Sequence, residues 1–152
     1  MSYEAQHNAL RQRFIDEWRG TPVNRIAWTN VAFDDNKESN APWIRFMIED
    51  DTAEQISVGG NPDDADAGGD LIRHMGAIVV QVFTPLSQGG GEGLNLADQV
   101  VAIFRRWETP EAPGVPVIRF RMPSRVRQVR TQSGDLWHQT NVYCPFERDS
   151  LN

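Results

Sequence analysis

The sequence predicts a single α+β domain: a mainly antiparallel twisted sheet covered by two amphipathic helices, with long hairpin loops. Three observations lead there. Helical periodicity occurs in two separated stretches, period-two alternation fills much of the rest, and the order helix, strands, helix, strands does not repeat the way an all-parallel sheet requires. At 152 residues the chain fits one domain, here residues 1–152, and an apolar fraction of 39% with a charged fraction of 24% is that of a soluble globular protein.

Tyr3, His7, Leu10, Phe14 and Trp18, with Ile15 beside them, recur at helical spacing, so residues 3–18 form a predicted helix with one dry face. Ser2 suits its N-cap, and Gly20 with Pro22 stops it. From Val23 the pattern turns extended, with Ile26, Trp28 and Val31 on one side, ending in the polar run Asp34 to Asn40, read as a loop. Pro42 to Glu49 alternates with apolar residues in most of both rows, which predicts a central strand or an interface. A turn at Asp50 and Asp51 then leads to a second extended piece, Glu54 to Val58. Gly59 to Asp70 has no large apolar group to bury and reads as a loop or the tip of a long hairpin.

Gly76 to Thr84 is a β-branched run read as a buried strand ending at Pro85. The glycine stretch Gln88 to Gly93 leads into a second helix whose stripe is Ala97, Val100, Val101, Phe104 and Trp107, closed by Pro110 and Pro113. Between Val115 and Met122, Ile118, Phe120 and Met122 alternate with Arg119 and Arg121. Arg125 to Thr131 and Asp135 to Tyr143 read as the arms of a hairpin turning at Ser133 and Gly134, which sets Arg130 opposite Trp137 for a cation–π contact.

Composition narrows the function. No apolar run, Ala77 to Val80 included, approaches a membrane span, and Met1 to Leu10 has no secretory pattern, so synthesis in the cytoplasm is expected. The lone Cys144 cannot form an internal disulfide and carries no nucleophile signature around it. His7, His74 and His138 lack ligand spacing, and Asp63, Asp64, Asp66 and Asp70 fail the calcium-loop pattern: counted from Asp64, the twelfth position is Met75. The loop Gly89-Gly90-Gly91-Glu92-Gly93 fits neither phosphate-binding motif, and no carboxylate pair or nucleophile elbow stands out. Neither an enzyme nor a cofactor-binding protein is expected.

Charge is more informative. Net charge is −6, yet residues 1–70 hold 14 Asp and Glu against 6 Lys and Arg, whereas residues 71–152 hold 7 against 9. Arg119, Arg121, Arg125, Arg127 and Arg130 form the strongest feature, with no acid among them. Such a row can grip the acidic part of another copy, stand solvated as protection against edge pairing, or contact DNA; the net charge argues against DNA. The corresponding acids are Asp63, Asp64 and Asp66, or Asp34 and Asp35.

Several segments together resemble a known family. The N-terminal helix is followed by Ile26-Ala27-Trp28-Thr29-Asn30-Val31-Ala32-Phe33, then Ala41-Pro42-Trp43-Ile44-Arg45. Gly76 to Pro85 then runs through the glycine loop into Leu94-Asn95-Leu96-Ala97-Asp98-Gln99-Val100 and Phe104-Arg105. Their order and spacing over residues 1–107 resemble the phage tail-terminator-like family, and the C-terminal strands fit in general pattern. The resemblance implies a structural virion protein of the tail and neck, assembled in the host cytoplasm. It would form a homo-hexameric ring that caps the tail tube, stops polymerisation and offers a surface to a head-completion or connector protein, with DNA only as passing cargo. Such a ring uses heterologous contacts, one patch meeting a different patch on the next copy. Another neck or minor tail protein, such as a head-tail connector subunit, and a monomeric adaptor module are the alternatives.

Overall fold

The computed structural model describes residues 3–34, 41–57, 71–86, 90–110, 117–121, 123–130 and 136–151. Helix α1 (Tyr3–Glu17) is followed by a short 3-10 turn at Val23–Arg25 and strand β1 (Ile26–Trp28). Two 15-residue strands come next, β2 (Trp43–Ser57) and β3 (Leu71–Pro85). After helix α2 (Gly91–Phe104) come β4 (Ile118–Arg119), β5 (Arg125–Val129) and β6 (Trp137–Leu151). The six strands make one sheet in the order β1-β2-β3-β6-β4, with β5 also paired to β6. Among the described residues only β1 and β2 run parallel; the other pairs are antiparallel. The predicted α+β class and mainly antiparallel sheet with two helices are what the chain adopts.

Register explains the layering. Alternation along a strand sends successive side chains to opposite faces. Phe46, Val80 and Val142 stand in line on one face, as do Ile44, Val82 and Thr140 and, across three strands, Ile48, Ile78 and Cys144. Both helices pack on this face. Phe14 of α1 meets Phe46 with ring centroids 4.8 Å apart, and Phe104 of α2 continues through Phe120 at 5.0 Å to Phe146 at 5.6 Å. The core is therefore one slab between two helices and one sheet face. On the other face no helix lies among the described residues.

Two glycines record how tight that slab is. A Cβ at Gly93, at the start of α2, would lie 2.7 Å from Thr140 Oγ1, and one at Gly76 would lie 2.7 Å from the backbone oxygen of Glu49 and against the Phe146 ring.

Several expectations need correction. The turn at Asp50 and Asp51 is a β-bulge inside one continuous strand: Asp50 pairs with Gly76 and Thr52 with Met75, leaving one extra residue in β2. A bulge keeps the ladder going, so the two extended pieces are one strand, and β2 and β3 are indeed the arms of a long hairpin. The first helix is lined by Gln6, Leu10 and Phe14, whereas Tyr3 is exposed and His7 half-buried; a polar group takes the first turn because a buried arginine needs it. Val31 is exposed beyond a turn closed by its own N–H to Trp28 oxygen. Trp107 lies outside α2, which ends at Phe104, but still packs on Phe104 and Phe120. In the C-terminal hairpin Val129 faces Gln139, so the register runs one residue from that expected and the Arg130–Trp137 contact does not form. Arg125 instead lies 4.5 Å over the Tyr143 ring, directly across the ladder. Ser2, Met122 and the turn residues Ser133 and Gly134 lie outside the described residues.

Candidate assembly surface

The arginine row divides in two. Arg119 faces Glu147 across the β4–β6 ladder, and its Nη1 reaches Asp149 at 3.4 Å. Arg121 reaches Glu147 at 3.5 Å. Arg73, on the next strand, donates from Nε and Nη2 to both oxygens of Asp149 at 2.9 and 3.2 Å. Its Nε also lies 3.6 Å from Glu147. These side chains fill the distal part of the helix-free face. The Arg73 hydrogen bond is the main cause that holds the Asp149 carboxyl below its usual pKa, and that bond in turn raises Arg73. Arg119 and Arg121 thus close a network within their own chain.

Arg125 and Arg127 have no such acids among the described residues. Opposite them on β6 stand Tyr143 and Asn141, both uncharged. Both arginines are exposed, and no carboxylate pairs with either among the described residues. Arg130, just past the strand, is exposed as well. On the opposite face of β5, Val126 is 39% exposed and Gln128 donates to the Gly90 oxygen at 3.3 Å.

Register adds a residue that sequence reading missed. Arg45 of β2, Gln81 of β3, Asn141 of β6 and Arg127 of β5 stand in one row across four strands. Arg45 is exposed, 5.7 Å over the Trp43 ring and 6.0 Å over Phe83. Those two rings stack with centroids 4.0 Å apart. Nothing in the spacing of residues 45 and 127 announces this; only the strand order brings them level.

Of the acids expected to face the arginines, Asp34 is exposed, and Asp35, Asp63, Asp64 and Asp66 lie outside the described residues. The histidines bond different partners: His7 Nε2 lies 2.9 Å from Asp50, and His74 bonds Ser150 at 2.9 Å. No group of three metal-ligating side chains occurs among the described residues.

This geometry offers a broad sheet face whose cationic edge has no carboxylate partner among the described residues. A family model described as phage tail terminator protein matches residues 6–146. The chain belongs to the phage tail terminator family. Its role is therefore structural, in a phage tail, alongside other tail components, and the family is not an enzymatic one. Among curated proteins none matches. One solved structure is similar over 97% of this chain and 96% of its own, with a TM-score of 0.63 at 19% identity, a likeness that speaks for the fold. For a structural tail protein, surfaces that meet other tail components are the functional sites. Arg45, Arg125 and Arg127, level or adjacent on the helix-free face and without a carboxylate partner among the described residues, are the candidates.

Proposed function

We propose that six copies of this chain close into a ring on the last ring of the tail tube, halt its polymerisation, and present the joining surface for a head-completion or connector protein. Assembly would take place in the host cytoplasm, and DNA would pass through the ring as cargo. Family membership supports the tail role, and one structural observation carries the step to a ring. The two helices lie on one sheet face, while the other face ends in an edge strand bearing arginines that no acid of the same chain neutralises among the described residues. Closed rings of identical subunits need two different patches that fit each other, and a cationic edge on an acidic chain is one half of such a pair.

Polymerisation of the cognate tube protein, followed by electron microscopy with and without this chain, tests the reading. Addition of the chain at one ring per tube is expected to stop growth and leave a cap at one end. Binding along or beside tubes that keep growing would instead favour another neck or minor tail role. A chain that binds tube ends while remaining monomeric would favour an adaptor.

A further inference from the structure

Two open stretches of sheet edge carry opposite charge. On β2, strand β1 occupies the edge only at residues 44–46, level with Ile26–Trp28. The chain then turns away: Asn30 takes a φ of 60°, and the Val31 N–H bonds the Trp28 oxygen. From Met47 onward the outer side of β2 carries backbone donors and acceptors that no strand uses among the described residues. Glu49 stands exposed beside that edge, on the helix-free face, with no ion-pair partner among the described residues.

The second stretch is β5. Its inner side is occupied by β6, where Tyr143 and Asn141 supply no charge, and it pairs with no other strand among the described residues. Its outer side offers a ladder of backbone groups flanked by Arg125 and Arg127, exposed on the same helix-free face as Glu49.

Strand polarity lets these edges meet. β2 is antiparallel to β3, β3 to β6 and β6 to β5, so β2 and β5 run in opposite directions. Rotation of one copy onto the next about an axis along the strands keeps those directions and keeps both helices on one side of the sheet. The β5 edge of one copy then meets the β2 edge of its neighbour as an antiparallel pair, a heterologous contact. A two-fold pairing of β5 with β5 would instead oppose arginine to arginine. Register follows from where β1 stops. β5 ends at Val129 and points toward the neighbour's β1, so Val129 takes the first open position, level with Met47. Both residues are half-buried on the helix-free face. Period two then sets Arg127 level with Glu49, with Arg125 one diagonal step away.

We propose that β5 of one copy adds to the open edge of β2 in the next, with Arg127 pairing with Glu49, so that the sheet runs on from copy to copy. This rests on the ring reading above and names its interface. Arg119 and Arg121 lie outside that interface, since Asp149 and Glu147 already hold them.

Light scattering on the full chain after size exclusion tests it with four forms: wild type, R127E, E49R, and the chain carrying both changes. Wild type is expected to be multimeric. Each single variant should weaken self-association by about tenfold or more. The double variant, and an equimolar mixture of the two single variants, should recover the multimer, because opposite charges again meet between copies. If circular dichroism shows a charge reversal unfolded, R127Q or E49Q takes its place. Amide exchange reads the backbone pairing: residues 47–51 and 125–129 should exchange more slowly in the wild-type multimer than in R127E.

A wild-type multimer that R127E and E49R leave intact overturns this interface while the ring stands. Loss in both variants without recovery in the mixture or the double variant overturns Glu49 as the partner of Arg127. Recovery without slower exchange in the two strands overturns strand addition. A wild type that stays monomeric overturns the ring reading and the interface together.

Discussion

Arg148 is buried to 2% exposure on the helix side of the sheet, and its Nε donates to Gln6 Oε1 from the first turns of α1. Gln6 in turn donates from Nε2 to Asp50 at 2.7 Å, and the Tyr3 ring lies 5.2 Å from the guanidinium. The neutral amide thereby relays the positive charge of Arg148 toward a carboxylate on β2 without a direct ion pair.

That relay predicts that Gln6→Ala destabilises the fold by about 2–4 kcal/mol, because it leaves a buried guanidinium without its acceptor. Thermal denaturation measures it. Combining Gln6→Leu with Arg148→Met is expected to recover most of the loss, since an apolar pair of similar volume removes the unsatisfied charge; no recovery would place the energy elsewhere.

The glycines under α2 and within β3 make a second prediction. Gly76→Ala and Gly93→Ala should each cost about 1–3 kcal/mol through overpacking. Gly76→Ala should be the harsher change, because its new methyl meets the Glu49 backbone oxygen, which cannot rotate away, whereas Gly93→Ala meets a threonine hydroxyl. Equal midpoints in urea for wild type and Gly76→Ala would contradict this packing.

The Arg73, Asp149 and Arg119 network sets an acid limit on stability. Asp149 has a folded pKa below its unfolded one, so its contribution is fully present above the unfolded value of about 3.9 and is lost as pH falls through the folded value. Asp149→Asn should therefore flatten the fall in melting temperature below about pH 4. His74 is shifted the same way, lowered first by burial and then by the charge of Arg148. Its contribution is present above the unfolded pKa of about 6.5 and lost as pH falls below it, so His74→Gln should reduce the pH dependence between neutral and mildly acid conditions.

Cys144 faces the core with no exposed surface, and burial pushes its thiol up to about 11. Native protein at pH 8 should resist thiol reagents over hours and react at once in denaturant. Rapid labelling of the folded chain would mean that the slab between α2 and β6 opens readily.

Much of this fold is written locally. Leu10 and Phe14 at helical spacing, the β-branched run ending at Pro85, and the alternation of Ile118 and Phe120 against Arg119 and Arg121 each depend on neighbours in the chain, and each was legible. Long-range register was not. The bulge at Asp51 depends on what β3 places opposite it, and a one-residue slip in the last hairpin removes the Arg130–Trp137 contact and sets Arg125 opposite Tyr143. The burial of Gln6 could not be read because Arg148, which requires it, is 142 residues away. The candidate surface shows the same division. The arginine row was visible, but its division comes from β6, which sets Glu147 and Asp149 by Arg119 and Arg121 and uncharged Tyr143 and Asn141 by Arg125 and Arg127, and the strand order brings Arg45 level.

The mass of the purified chain in solution, followed over a series of concentrations and salt levels, bears most directly on the ring. The account predicts a species about six times the 17.2 kDa of one chain, which dissociates as salt screens the arginine contacts. A single 17.2 kDa species at every concentration and salt level would contradict it.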